Sequence, residues 1–141
     1  MDLHFTAHEP TAEEREAIDA FVVSIDCDGP RRQYLLPALH AIHGRAGWIS
    51  PGALNHVCRA LDVPPAEAFG VADFYALFAT RPQPRAVAHV CDDIGCRIKG
   101  GETLCDEMER RFGPPGAPDA VAATWHRSPC LGLCERAPAA L

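Results

Sequence analysis

The chain has 141 residues, 48% of them hydrophobic and 23% charged, with a formal charge of -6. That balance belongs to a soluble globular protein with material for one modest core or two small lobes. The acidity excludes a nucleic-acid binder, since no dense basic stripe is present to displace counterions from phosphate; Arg31-Arg32 and Arg110-Arg111 read as solvated surface.

The start, MDLHFTAHEP, has no charged region followed by an apolar stretch, so no signal peptide is expected. No run approaches the roughly 18 apolar residues of a membrane span, so direct membrane insertion is not expected. The expectation is a cytoplasmic protein, peripheral to the inner membrane only through a complex.

After a tail at 1–10, residues 11–80 read as a helical bundle. Thr11-Ala-Glu-Glu14 is a capping box, and Ile18, Phe21, Val22 and Ile25 recur behind it at helical spacing. Asp28-Gly29-Pro30 breaks that helix. A second carries Leu35, Leu36, Leu39 and Ile42, tolerates Pro37 in its first turn, and ends near Gly44 to Gly47. Ser50-Pro51 opens a third through Leu54, Val57 and Leu61. Pro64-Pro65 opens a fourth, with Phe69, Phe74, Leu77 and Phe78 as apolar anchors. Core packing is the first reading of Phe69, Phe74, Tyr75 and Phe78, and docking on a partner the second. His40 and His43, three apart on a helix, read as surface or interface residues rather than a metal pair.

Thr80-Arg-Pro-Gln-Pro84 marks a linker at 81–85, and the periodicity changes after it. Ala86–Cys91 reads as a strand delivering Cys91 at its end. The segment 101–112 is an amphipathic helix with Leu104, Met108 and Phe112 on one face. Ala120–Trp125 reads as a second strand, followed by another cysteine loop. This is a βαβ-like unit with both loops at strand C-termini, where α/β sheets place their sites.

Those loops are Cys91-Asp-Asp-Ile-Gly-Cys96 and Cys130-Leu-Gly-Leu-Cys134. Four converging thiolates suit zinc or iron–sulfur. Each pair flanks a glycine, Gly95 or Gly132, that lets the backbone curl. The spacings are wider than those of most zinc knuckles, which favours a binuclear cluster with one pair on each iron. Zinc as a plain staple stays open. The total of seven cysteines is odd, which fits ligands plus the spectators Cys27, Cys58 and Cys105 better than a disulfide framework. No Cys-x-x-Cys occurs, against a thiol–disulfide oxidoreductase.

Together with Leu35-Leu-Pro-Ala-Leu-His-Ala-Ile42, Gly47-Trp-Ile, Phe69-Gly-Val-Ala-Asp-Phe-Tyr75 and Cys130-Leu-Gly-Leu-Cys-Glu-Arg-Ala-Pro138, these loops resemble the 24 kDa subunit family of respiratory NADH–quinone oxidoreductase (complex I). Relatives serve NAD-linked formate dehydrogenases and bidirectional hydrogenases. The resemblance implies an α+β protein: a small N-terminal helical bundle, then a thioredoxin-like α/β [2Fe–2S] ferredoxin domain at 86–141. It implies Cys91, Cys96, Cys130 and Cys134 as cluster ligands. It also implies a partner that carries FMN, binds NADH and passes electrons singly to this chain. Family members continue past the Ala-Pro step, so the domain is expected to be truncated and to expose a sheet edge. The partner is then fused, contiguous or separate. A low potential, roughly -400 mV as for all-Cys plant-type clusters, is expected.

Around the ligands, Asp92, Asp93 and Glu135 are expected to oppose reduction, with Arg97, Lys99 and Arg136 against them. Amides near Gly95, Gly100, Gly101 and Gly132 are expected to donate to sulfur. Lys99-Gly-Gly-Glu102 resembles a phosphate cradle only weakly, with no Walker or GxGxxG pattern around it. His89 and His126 read as packing or support.

Overall fold

The structure, a computed structural model, describes residues 7–25, 29–117 and 122–141. They fall into two compact units divided between Pro82 and Gln83.

The first unit is helical. In α1 (Ala12–Ser24) the Glu14 amide donates to Thr11 Oγ1 at 3.3 Å and the Thr11 amide to Glu14 Oε2 at 2.8 Å, the reciprocal cap expected of this sequence. Cys27 lies outside the described residues. A 3₁₀ turn at Arg31–Tyr34 leads into α2 (Leu35–Ala46), which ends at Gly47 in the left-handed region (φ 77°). Ser50 Oγ accepts the Ala53 amide at 3.0 Å and starts α3 (Pro51–Leu61). The core joins Ile18, Leu35, Leu39, Ile42, Leu54, Val57 and Leu61. Gly52 is needed for close approach: a Cβ there would lie 2.1 Å from the Glu9 carbonyl oxygen, beside the bond from Asn55 Nδ2 to the His8 carbonyl.

The fourth helix, α4 (Pro65–Phe74), is shorter than its apolar residues suggested, and Leu77 and Phe78 lie beyond it. Phe69 and Phe78 pack against the core, but Phe74 is 80% exposed and lies outside it, its ring edge-on to that of Tyr75 at 5.3 Å. The His40 and His43 rings lie 4.7 and 5.7 Å from that of Phe78, so aromatic packing accounts for their spacing.

Burial pushes the buried Cys58 thiol up to about 11. A raised acid constant means the folded state favours the neutral thiol. Its contribution is complete below an ordinary thiol value near 9 and is lost as pH rises through about 11. The melting temperature of this unit is expected to fall by several degrees across that window. Cys58→Ala should flatten the fall, as followed by thermal unfolding at stepped pH.

In the second unit, β1 (Ala86–Cys91) and β2 (Ala123–Ser128) are parallel neighbours, Ala86 opposite Ala123 and Cys91 opposite Ser128. The expected second strand, Ala120–Trp125, is thus displaced: residues 120 and 121 lie outside the described residues, and pairing with β1 carries the strand on to Ser128. Between them run α5 (Ile94–Ile98) and α6 (Gly101–Phe112). Val90, Cys105 and Trp125 form the core, with Ala88, Leu104 and Met108 around it; Phe112 is 57% exposed, so the predicted apolar face is buried only over its first turns. The indole N–H of Trp125 donates to the Gly113 carbonyl at 2.9 Å.

The expected open edge on β1 is partly covered. Residues 139–141 lie antiparallel to it: the Cys91 amide donates to the Ala139 carbonyl at 3.0 Å, and His89 and Leu141 exchange bonds of 2.8 and 2.9 Å. Among the described residues no helix is long and apolar enough to cross a membrane.

Candidate metal centre

The parallel pair ends where the cysteines begin. Cys91 is the last residue of β1 and Cys96 sits in α5; both are buried, whereas Cys130 and Cys134 are exposed. Asp93 caps α5, and the short helix folds Cys96 back toward Cys91. Gly95 therefore has a helical role rather than the loop role expected; a Cβ there would lie 3.9 Å from Cys134 Sγ. Gly132 does supply a left-handed turn (φ 74°), and Cys130 Sγ stands 3.5 Å from Cys134 Sγ.

The four sulfurs feel one another. The Cys134 thiol is held above its ordinary value by its hydrogen bond to Cys130, by the charge of Cys130, by burial, and by Cys96 and Cys91. For Cys96 the Ala139 amide favours the thiolate, but burial and the sulfurs of Cys91 and Cys130 outweigh it and raise the value. Thiols that resist ionisation because they crowd one another are relieved by a cationic centre, which is the donor chemistry of a thiolate-bound metal. Among the described residues no three His, Cys, Asp or Glu side chains gather about one point. Cys130 and Cys134 make one close sulfur pair, and Cys96 feels the charges of Cys91 and Cys130. Thiolates on two neighbouring loops are donors for zinc or for an iron–sulfur cluster.

Gly101 explains the glycine pair that resembled a phosphate cradle. A Cβ on it would stand 2.8 Å from the Cys96 carbonyl oxygen and 3.1 Å from that of Cys91. The first turn of α6 thus rests on the backbone of both cysteines, and Gly100 (φ 95°) turns the chain into it. The Ala139 amide, which favours the Cys96 thiolate, was not among the amides expected to serve sulfur; it is brought near because residues 139–141 lie along β1.

Charges nearby are more balanced than the sequence suggested. Arg127, in β2, meets Asp92 at 3.4 Å and holds Glu102 through bonds of 2.9 and 3.2 Å. It keeps the Glu102 carboxyl below its usual range, and Glu102 raises the arginine in turn. Asp92 is therefore not a free negative charge beside Cys91. Asp93 Oδ2 accepts the Cys130 amide at 3.2 Å, a link between the loops without local sequence signal. Glu135 and Arg136 stand 3.9 Å apart. His89 and His126 stack across the strands at 5.9 Å, remote in role from the sulfurs, and His126 Nε2 meets Gln83 Oε1 at 3.3 Å.

Comparison with known proteins agrees with this arrangement. Residues 23–141 match the model of the thioredoxin-like [2Fe–2S] ferredoxin family. The chain is 32% identical over 111 residues to NADH-quinone oxidoreductase subunit 2 of Thermus thermophilus, covering 77% of this chain and 61% of that protein. It is 30% identical over 106 residues to an NADH-quinone oxidoreductase subunit of Pseudomonas aeruginosa, covering 74% and 64%. It thus spans less than two thirds of either relative. A solved NAD+-reducing [NiFe]-hydrogenase superposes with a TM-score of 0.60 at 29% identity, over 80% of this chain and 20% of the other. With the family model covering most of its length, the chain belongs to the thioredoxin-like [2Fe–2S] ferredoxins.

Proposed function

We propose that Cys91, Cys96, Cys130 and Cys134 hold a [2Fe–2S] cluster and that this chain is the electron-transfer subunit of an NADH-oxidising complex. The observation that carries the reading is the approach of the two cysteine loops beside the C-terminal ends of parallel strands, where the Asp93 carboxylate accepts the Cys130 amide and Cys134 Sγ lies against Gly95. When bound, the cluster supplies one-electron redox chemistry. The chain's own residues hold and tune it. The Ala139 amide favours the Cys96 thiolate, and Arg127 offsets the charge of Asp92. FMN and NADH belong, in this reading, to a partner subunit, and the chain works at the periphery of a complex on the cytoplasmic side. The helical bundle at 11–80 and the ferredoxin domain at 86–141 are its working parts. Likeness to an NAD+-reducing hydrogenase supports a second assignment of the same module to a hydrogenase complex.

Anaerobic reconstitution of the full chain tests the cluster. Iron and acid-labile sulfide are expected in equal amounts, with a red-brown colour and an EPR signal on reduction. Serine at any of the four positions should lower retained iron about tenfold or more, since a lost ligand exceeds the effect of a lost supporting contact, whereas Cys105→Ala should retain it. Stoichiometric zinc in a colourless protein would leave only a structural staple.

A further inference from the structure

We propose that Asp93 is the positioning residue that clasps the two cysteine loops together. The inference rests on the four sulfurs holding the cluster, but its geometry concerns the chain alone. One carboxylate oxygen, Oδ1, accepts the Ile94 amide at 2.7 Å and starts α5, which carries Cys96. The other, Oδ2, accepts the amide of Cys130 at 3.2 Å, across to the second loop. The Asp93 carbonyl meanwhile accepts the Arg97 amide at 2.8 Å, so the backbone beneath the side chain is itself fixed. One side chain thereby spans the two cysteine loops, touching the amide of a ligand residue on one side and the helix that carries a ligand on the other.

The chemistry requires a carboxylate. Each amide needs an acceptor, and only a group with two equivalent acceptor oxygens serves both at once. Asparagine or serine can still cap α5, since both are good N-caps, yet neither can accept at both ends in this geometry. Alanine loses cap and clasp together. Because the clasp is exposed to water, its effect is the size of one ordinary hydrogen bond rather than of a buried ion pair.

The test uses the full chain as Asp93→Asn, Asp93→Ser and Asp93→Ala, reconstituted anaerobically. Iron release to a chelator should be roughly three- to tenfold faster in all three, the factor expected for one lost hydrogen bond. Melting of the metal-free chain should fall in all three, and furthest in Asp93→Ala, which loses the cap as well. In the metal-free chain, hydrogen exchange at the Cys130 amide should also quicken in all three. Release at the wild-type rate in the asparagine and serine variants, with fast release only in alanine, makes Asp93 a helix cap and overturns the clasp. A changed reduction potential with unchanged release makes it a charge and overturns it equally. A wild-type chain that takes up no iron defeats the cluster reading alone. In that event the exchange of the Cys130 amide still distinguishes whether the clasp exists.

Discussion

Gly101→Ala is expected to destabilise the second unit by about 2–3 kcal/mol, toward the upper end for overpacking a tight contact, and to cut the iron it retains after reconstitution. The added methyl would meet the Cys96 carbonyl oxygen at 2.8 Å and the Cys91 carbonyl oxygen at 3.1 Å, both backbone atoms with no flexible end to swing aside. Either α6 lifts away from the sheet, thinning the packing of Leu104, Cys105 and Met108, or the two ligand-bearing carbonyls are pushed outward. Both responses move Cys91 relative to Cys96. Gly100→Ala is the control: a Cβ there meets nothing within 4 Å, and the cost is the left-handed backbone alone, about 1–2 kcal/mol. Chemical denaturation and iron content, measured on both variants, should rank Gly101 above Gly100 in each. Equal iron in the two would mean that the helix start does not set the geometry of the cysteines.

Trp125→Ala should be more severe still, about 3–5 kcal/mol, as for other large aromatic deletions from cores. Among the described residues the ring is the largest fully buried side chain, and it shares its core there with Val90 and Cys105 as fully buried partners. Removal also strands the Gly113 carbonyl, which accepts the indole N–H at 2.9 Å where α6 ends. Small units have little stability in reserve, so the strands should be unfolded at room temperature. The helical unit has its own core and should keep its transition. Two-step melting in the wild type, reduced to one in the variant, is the expected record by circular dichroism. Trp125→Phe, which keeps most of the ring volume, should lose only about 1–2 kcal/mol.

What could be read from the chain in advance follows the range of the interactions. Thr11, Ser50 and Gly47 announce helix ends through contacts three or four residues away, and each does so in the structure. The cysteine spacings are equally local. Long-range partners left no such trace. Arg127 carried no signal in the sequence, yet it spans to Asp92 and Glu102. Asp93 looked like another acid beside a ligand, and its bond to Cys130 crosses 37 positions. The extension of β2 past Trp125 to Ser128 has the same origin. An alanine-rich run has no strong strand preference, and pairing with β1 decides its limits. Phe74 shows the reverse error: aromatic spacing near a helix implied burial, but α4 stops there and turns the ring outward.

The three residues lying beside β1 also tie the soundness of the sulfur site to the state of the peptide bonds at 139–141. Ala139 accepts the Cys91 amide through its carbonyl, while Leu141 is fastened to His89. A substitution that pulls this segment off the sheet therefore loosens the backbone beside two cysteines as well as uncovering a strand edge. Preparations in which the segment is displaced in part of the molecules should accordingly be spectroscopically heterogeneous, even when every cysteine is intact.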